Sequence, residues 1–268
     1  MIEQISQRGR FTLLKSSQGK FNVPFTTEFV FDSTIFPLSE AQMLMERTQT
    51  KIGRYLDNVD QIFSPFREDS FLTAFNQGRV SLEEAPETFM IVWALACQAE
   101  ESSNGLFKAW QGSDFDPIGI VKGWAIERMV LDILKPLLGQ HQLSAVGING
   151  GGDMQLLTDS AVKDWIWDVG VQDPSDPNKV VASYTFRNGA LATSGIEARG
   201  EHIRYQSGRI HPHLATVLTE SLTIADIWAT ALVAGDFTRL NFDNVPGTGL
   251  VLGPQNAKRR FITGEEVI

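Results

Sequence analysis

The most telling segment of this chain is Ala145-Val-Gly-Ile-Asn-Gly-Gly-Gly-Asp-Met-Gln-Leu-Leu157, in which two apolar runs flank three successive glycines. The runs 145–148 and 154–157 have the length and composition of β-strands, and the glycines between them are typical of a turn. Apolar runs at 165–171, 180–186 and 190–193 are also predicted to be strands. The second half of the chain is therefore expected to be rich in β-structure.

Helices are predicted on the amino-terminal side of this segment and again near the end of the chain. The predicted helices cover 39–62, 69–76, 86–100, 116 to Pro136, and a last segment that starts near Thr223. The first of them has Ser39 as its expected N-cap and Met43 among its apolar positions. Alternation of apolar and polar residues predicts strands in the first thirty residues, with Gly19 at a turn, and short strands finish the chain.

Helices between 39 and 136 and strands after 143 predict an α+β fold with antiparallel sheets and packed helices, not a doubly wound parallel sheet. At 268 residues the chain is long enough to bury a large core. It contains no internal repeat and no obvious linker, so 1–268 is predicted to be a single domain.

The composition excludes several classes of protein. Hydrophobic residues make up 43% of the chain and charged residues 21%, which is ordinary globular usage and does not indicate disorder. The net charge of −9 argues against a nucleic-acid partner, because an acidic chain repels polynucleotides. The single cysteine, Cys97, lies in the apolar run 90–99 and is expected to be a buried thiol.

A cytoplasmic location without a membrane span is expected. The amino terminus lacks the apolar core and the cleavage site of a signal peptide, and no lipoprotein leader is recognisable. No apolar stretch reaches the roughly 18–20 residues that a bilayer crossing requires.

Two segments carry residues suited to phosphate chemistry, and the first is Ala225-Asp-Ile-Trp-Ala-Thr230. Asp226 and Thr230 are four residues apart, so on a helix they share a face and can converge on one point. Hard oxygen donors of this kind suit magnesium, which keeps positions open for substrate phosphates. Alternatively, Thr223 and Asp226 form a capping box at a helix start, and for this pair alone capping is the simpler interpretation.

The second segment is Asp116-Pro-Ile-Gly-Ile-Val-Lys-Gly123. Gly119 and Gly123 allow the backbone to come close to a ligand, and Lys122 adds a positive charge for a phosphate. Alternatively, Asp116 is the N-cap of a helix, Lys122 is a solvated helix residue and the glycines serve packing. The pattern is neither a Walker loop nor a dinucleotide fingerprint, so neither of those binding modes is supported.

Other polar groups also have two interpretations each. The glycines after Asn149 can wrap a phosphate with backbone amides or form a simple turn. The hydroxyls of Ala192-Thr-Ser-Gly195 lie at a predicted strand end, although such hydroxyls are equally common in turns. His211 and His213 are two imidazoles without a third ligand, which is more often incidental than a metal site. By itself, His202 is interpreted as a surface or core histidine.

Six segments in order resemble the ApbE family, the FAD:protein FMN transferases, over the chain from about Phe31 to Gly235. These segments are Asp116-Pro-Ile-Gly-Ile-Val-Lys-Gly-Trp-Ala125, Asn149-Gly-Gly-Gly-Asp153, Trp167-Asp-Val-Gly-Val-Gln-Asp-Pro174, Ala192-Thr-Ser-Gly195, Gly200-Glu-His-Ile203 and Ala225-Asp-Ile-Trp-Ala-Thr230. More loosely, Phe63-Ser-Pro-Phe66 followed by Asp69-Ser70 and Asn76 resembles the amino-terminal signature of the family.

The resemblance implies an α+β, T-fold-like architecture and a magnesium-dependent enzyme. Members of the family transfer the FMN part of FAD to a threonine or serine hydroxyl of an acceptor flavoprotein and release AMP. The implied ligands and partners are therefore Mg²⁺, FAD as substrate and an acceptor flavoprotein, with no nucleic acid.

The roles of the family's residues fall on particular positions of this chain. The implied metal ligands are Asp226, Thr230 and the backbone carbonyl of Gly119. The implied nucleotide contacts are Asp116, Lys122, Phe31, Phe66, Leu106 and Phe107. The histidine that is the proposed base of the family falls on His202.

The chain departs from the family pattern in two places. After His202 it reads Ile-Arg-Tyr-Gln-Ser-Gly208, one residue shorter than the family motif and without its Asp-Pro. The segment 105–116 is also short. Two alternatives therefore stay open, namely an FAD pyrophosphatase, in which water replaces the acceptor, and a flavin-binding protein without catalysis.

Overall fold

The computed structural model describes residues 2–21, 23–139, 143–195 and 210–267. The strands within these residues are β1 (Ile2–Arg8), β2 (Phe11–Lys20), β3 (Val23–Asp32), β4 (Trp110–Gln111), β5 (Asp114–Phe115), β6 (Leu143–Gly150), β7 (Asp153–Thr158), β8 (Trp167–Asp173), β9 (Asp176–Phe186), β10 (Gly189–Gly195), β11 (Leu214–Thr219), β12 (Thr248–Leu252), β13 (Lys258–Ile262) and β14 (Glu265–Val267). The α-helices are α1 (Leu38–Phe63), α2 (Phe71–Asn76), α3 (Glu87–Ser102), α4 (Ile118–Met129) and α5 (Leu222–Ala234). In this described part of the chain, no helix combines the length and the apolar composition that a membrane crossing requires.

Ten of the described strands form one antiparallel sheet, in the order β1-β2-β3-β6-β7-β10-β11-β12-β13-β14. The strands β8 and β9 form a separate two-stranded ribbon. The predicted hairpin around Asn149 is confirmed, since β6 and β7 pair antiparallel with Gly150 opposite Asp153. Its turn uses Gly151 and Gly152 at φ values of +64° and +98°, a region that glycine enters without strain.

The large sheet separates two apolar cores. Successive side chains of a strand point to opposite faces, and in β3 Phe29 and Phe31 join the core beneath the helices while Val30 joins the core on the other face. The helix-side core takes buried residues from α1, α3, α4 and α5, and the opposite core contains Trp165 and Trp167 beside the ribbon. Helices, sheet and ribbon thus form three layers, which confirms the α+β prediction with antiparallel sheets and packed helices.

The helix-side core draws on both ends of the chain, from Leu14 in β2 to Phe261 in β13. A unit that folds around one shared core behaves as one domain. This arrangement supports the proposal that 1–268 is a single domain.

The start of α1 and one of its predicted core positions differ from expectation. The helix begins at Leu38, with Pro37 at the N-cap position, so the predicted N-cap Ser39 lies inside the helix. Met43 is 51% exposed, whereas Met45 is fully buried. Met43 and Met45 are two residues apart, which separates them by about 200° around an α-helix, so both side chains cannot face one core.

Two further predictions are wrong. Gly19 lies within β2 opposite Pro24, and the chain reverses beyond it, where Phe21 has a φ of 55°. Cys97 is exposed, not buried. It lies about 100° around α3 from the buried Ala96, so an apolar run alone did not identify the buried face of this helix.

We expect Phe89→Ala, in α3, to lower the free energy of unfolding by about 3–5 kcal/mol, because a large aromatic side chain is removed from a packed core. Phe89 has no exposed surface, and its ring centroid lies 4.8 Å from that of Phe71 and 5.5 Å from that of Phe115. Urea denaturation measures the loss. The neighbouring Met90→Ala, at a side chain that is 40% exposed, should change stability by no more than about 0.5 kcal/mol. Equal losses in the two variants would contradict this assignment of the core.

Candidate active site

The helices α4 and α5 pack closely at two glycines of α4. A Cβ atom added to Gly123 would lie 2.8 Å from the Cβ of Asp226, and one added to Gly119 would lie 3.9 Å from the Cγ2 of Thr230. Residue numbers rise along α4 as they fall along α5, so the helices are antiparallel. The backbone N–H of Gly123 donates a hydrogen bond to Oδ2 of Asp226 at 3.2 Å. Three of the predicted site residues, Gly119, Asp226 and Thr230, are therefore brought together by this contact.

The start of α5 excludes the capping interpretation of Asp226. The N-cap is Ser221, whose side chain accepts a hydrogen bond from the backbone N–H of Ile224. Asp226 lies five positions beyond this cap, more than a full turn inside the helix, and its side chain has no exposed surface. A carboxylate in that environment is costly unless it is paired or hydrogen-bonded. The capping-box alternative for Thr223 and Asp226 is therefore wrong.

The first turn of α5 is bound by the carboxylate of Glu127 in α4, a residue outside the predicted site. Oε2 of Glu127 accepts hydrogen bonds from the hydroxyls of Ser221 and Thr223 at 2.7 Å and 2.6 Å. It also accepts one from the backbone N–H of Thr223 at 2.8 Å. Negative charge at a helix amino terminus is favourable, because the unpaired backbone N–H groups there carry partial positive charge. The one local signal for Glu127 was its position four residues after Gly123.

Asp116 was predicted to be the N-cap of α4, but it lies one residue before the N-cap. The helix α4 begins at Ile118 with Pro117 at the N-cap position, although Oδ1 of Asp116 does accept a hydrogen bond from the backbone N–H of Ile118 at 3.3 Å. Its Oδ2 accepts one from the amide of Gln111 at 2.6 Å, and its backbone N–H donates to the carbonyl of Ala109 at 2.7 Å. Asp116 therefore ties the segment before α4 to the first turn of that helix.

Lys122 is paired with an acidic residue and is not a freely solvated helix residue. Its ammonium forms an ion pair with the carboxylate of Asp153, at the start of β7, and its side chain is 21% exposed. Asp153 is fully buried, and its Oδ1 also accepts a hydrogen bond from the backbone N–H of Thr193 in β10 at 2.9 Å. The pair therefore compensates a buried charge and joins α4 to the sheet.

The hydroxyls of the segment 192–195 lie on a strand and not in a turn. Ser194, in β10, is fully buried, and its Oγ is 3.2 Å from Oγ1 of Thr230. The Oγ1 atoms of Thr193 and Thr216 are 3.0 Å apart. The hydroxyl of Ser194 therefore links strand β10 of the sheet to Thr230 on α5.

The aromatic and aliphatic residues implied as nucleotide contacts lie in different environments. Phe107 is 2% exposed, and its ring lies 3.0 Å from where a Cβ of Gly119 would be. Leu106, just before it, is half-buried. Phe31 has no exposed surface and packs against Phe36, with ring centroids 5.7 Å apart. Phe66 is 85% exposed. Of this group, Phe107 is the residue that the structure places directly against a predicted metal ligand.

The histidines do not form a cluster in the described part of the chain. His202, the implied base, and His141 lie outside the described residues. Nδ1 of His211 is 3.0 Å from the carbonyl oxygen of Gly235, at the end of α5, and His213 is exposed. The residues 211 and 213 therefore have separate surroundings.

The pKa values of Asp32, next to Phe31 in β3, and of Tyr55 in α1 are shifted. Hydrogen bonds from the hydroxyl and backbone N–H of Thr34 hold the pKa of Asp32 below its ordinary value. Burial raises the pKa of Tyr55, which packs on Trp124 of α4, to about 12. At pH 7 Asp32 is therefore ionised and Tyr55 is neutral, so neither is poised for proton transfer near neutrality.

The donors at the helix contact fit a magnesium ion. A carboxylate, a hydroxyl and a backbone carbonyl are hard oxygen ligands, and magnesium takes few protein ligands because it retains water and substrate oxygens. The two glycines let α4 come close to Asp226 and Thr230, because a Cβ at Gly123 would lie only 2.8 Å from Asp226 and one at Gly119 would lie 3.9 Å from Thr230. In the described residues no three His, Cys, Asp or Glu side chains cluster as a metal site.

We expect Gly123→Ala to lower the free energy of unfolding by about 1–3 kcal/mol, because the added methyl overpacks the contact of α4 with α5. Its Cβ would also meet the backbone carbonyl oxygen of Leu222 at 3.0 Å, and backbone cannot move aside as a side chain can. Thermal or urea denaturation measures this loss. The control is Gly19→Ala, which meets nothing within 4 Å and should change stability by less than about 0.5 kcal/mol. A Gly123→Ala protein as stable as the control would show that the helices are not in tight contact.

Comparison with known proteins gives one family and one fold. The ApbE family model matches residues 108–240, which include α4, Asp153 and α5. The structure resembles the flavin transferase ApbE from Vibrio cholerae with a TM-score of 0.63 at 18% identity, over 94% of this chain and 97% of that one. The ApbE protein from Thermotoga maritima gives a TM-score of 0.71 at 18% identity, over 92% and 96% of the two chains.

A third similar structure is the apo form of the flavinyl transferase ApbE from Pseudomonas stutzeri. Its TM-score is 0.68 at 16% identity, and 98% of this chain and 95% of that chain are covered. No curated protein sequence matches this chain. At identities this low, structural similarity establishes the fold and not the chemistry.

Proposed function

We propose that this chain, which belongs to the ApbE family, is a flavin transferase that moves the FMN part of FAD onto a threonine or serine hydroxyl of an acceptor flavoprotein. The other product is AMP. The observation that carries the proposal is the contact of α4 with α5, which places the backbone of Gly119 and Gly123 against Thr230 and Asp226. The carboxylate of Asp226 and the hydroxyl of Thr230 are hard oxygen donors, and Lys122 is adjacent to Gly123. All of these residues lie in the part of the chain that the family model matches.

Asp226, Thr230 and the carbonyl of Gly119 would hold the magnesium ion. When bound, the ion would supply positive charge to the pyrophosphate oxygens of FAD. The position of Asp226 at the contact of α4 with α5 supports this role, because its carboxylate lies beside Gly123 and on the same helix face as Thr230, and carboxylate and hydroxyl oxygens are the ligands that magnesium prefers.

Lys122 would contribute the second positive charge at the pyrophosphate. Its ion pair with the buried Asp153 fixes the end of a long flexible side chain, and about a fifth of that side chain stays exposed. An ammonium that is already oriented loses less conformational freedom when an anion binds. Asp116 and Phe107, which flank the start of α4, would contact the nucleotide, together with Leu106, Phe66 and Phe31.

The transfer balances as a single substitution at phosphorus. The acceptor hydroxyl loses its proton to a base, its oxygen bonds to the phosphorus of the FMN half, and the bond from that phosphorus to the bridging oxygen breaks. AMP leaves with the bridging oxygen. We propose His202 as the base, since a neutral histidine is suited to accept a proton at pH 7 and such catalysis typically contributes ~10²–10⁴-fold.

The test is intact-mass measurement of an acceptor flavoprotein after incubation with this protein, FAD and Mg²⁺, with the nucleotides followed in parallel. We expect the acceptor to gain one FMN moiety for each AMP released. An acceptor whose target threonine is replaced by valine should gain nothing. AMP and free FMN without labelling would instead establish an FAD pyrophosphatase, and FAD binding without products would indicate a non-catalytic binding protein.

We expect Asp226→Asn to slow transfer by about 10²–10³-fold, the usual cost of losing one group that stabilises transition-state charge. The amide has the same size as the carboxylate, so the fold should be retained, and circular dichroism checks this. Asp132→Asn is the matched control. Asp132 lies just beyond the end of α4, and its exposed carboxylate pairs with Arg128. Wild-type transfer in Asp226→Asn would remove this residue from the site.

A further inference from the structure

Glu127 connects α4 to the first turn of α5 through a single carboxylate oxygen. This atom, Oε2, accepts the hydroxyls of Ser221 and Thr223 and the backbone N–H of Thr223, at distances of 2.6 to 2.8 Å. Hydrogen bonds to an ionised acceptor are roughly twice as strong as neutral ones, and these three converge on one point. Within α5 itself, Ser221 caps the backbone N–H of Ile224, which sets where the helix begins but not where it lies against α4.

The contact at Glu127 continues the same helix register as the candidate metal site. Glu127, Gly123 and Gly119 recur at intervals of four along α4, and they face Thr223, Asp226 and Thr230 in turn along α5. A slip of α5 by one residue would displace Asp226 by about 1.5 Å along the helix axis. The hydrogen bond from Gly123 to Asp226 is already 3.2 Å long, at the upper end of the normal range, so it would not survive that slip.

We propose that Glu127 is a positioning residue, which holds α5 at the axial position where Asp226 and Thr230 lie opposite the glycines of α4. It acts through α5 and does not touch the ligand. This inference rests on the proposed function, because the consequence that can be measured is the affinity of the Asp226–Thr230 site for a divalent cation.

The experiment titrates the protein, in the presence of saturating FAD, with Mn²⁺ in place of Mg²⁺. Free Mn²⁺ is followed by its electron paramagnetic resonance signal, and a blank with FAD alone corrects for ions bound by the nucleotide. The variants are Glu127→Gln, Asp226→Asn, the double variant, and Glu84→Gln as the matched control. Glu84 accepts the backbone N–H of Ser81 at 2.7 Å, so the control makes the same chemical change at the start of a different helical turn.

We expect Glu127→Gln to weaken Mn²⁺ binding by about tenfold, and Glu84→Gln to change it by less than twofold. In the Asp226→Asn background, Glu127→Gln should cause no further loss, since residues that act as one unit are not additive. Glu127→Asp keeps the charge but shortens the reach, so it should resemble Glu127→Gln if the position of the helix is what matters.

Two outcomes would overturn the inference. In the first, Glu127→Gln lowers the melting temperature but leaves the Mn²⁺ affinity within twofold of wild type, which is the behaviour of a purely structural residue. In the second, it weakens binding equally with and without Asp226. A separate result tests the proposed function, because equal Mn²⁺ affinities of the wild type and Asp226→Asn would remove the metal site itself, and the role of Glu127 with it.

Discussion

The absence of side chains at Gly119 and Gly123 is the constraint on which the arrangement of the site depends. Two helices that carry larger residues at their contact remain farther apart, whereas here the backbone N–H of Gly123 reaches a carboxylate of the neighbouring helix. The same closeness leaves Asp226 without exposed surface. A buried carboxylate is unfavourable unless its oxygens have partners, and the backbone N–H of Gly123 is one of these partners.

The remaining polar contacts join α4 to β7, β7 to β10 and β10 to α5, so both helices are connected to the sheet. Lys122, next to Gly123 on α4, reaches Asp153 in β7, and the other oxygen of Asp153 binds the backbone of β10. The following residue of β10, Ser194, contacts Thr230 on α5. Each element of the site is thus fixed by two others, and no part of it depends on a single loop among the described residues. A rigid support of this kind is what accurate placement of reacting groups requires.

Local features of the sequence were sufficient for most of the elements and for the relative placement of two residues of the candidate site. The glycine turn after Asn149 predicted the β6–β7 hairpin, and the spacing of Asp226 and Thr230 correctly placed them on one face of a helix. The ordered motifs led to the right family. The errors at Met43 and Cys97 arose because apolar composition was used without the phase of the helix, which decides the buried face.

Contacts between distant residues could not be predicted in the same way. Thr223 meets Glu127 from 96 positions away, and Thr193 meets Asp153 from 40 positions away. Capping rules consider only residues close to a helix start, so they assigned the capping of α5 to Asp226. In the structure Ser221 caps this helix, and Glu127 from α4 binds its first turn. The contact of Glu127 with the first turn of α5 depends on how the chain folds between the two helices. Local periodicity contains no information on such a contact.

The exposure of Cys97 has a consequence for the redox chemistry of the whole chain. Because the chain has one cysteine, oxidation cannot close a disulfide within a molecule, but it can join two copies through α3, add a small thiol there or convert the thiol to a sulfur acid. The thiol is also the one position that a maleimide dye would modify. A dye on α3 whose emission overlaps the absorption of oxidised isoalloxazine would then give an energy-transfer signal each time a flavin nucleotide binds.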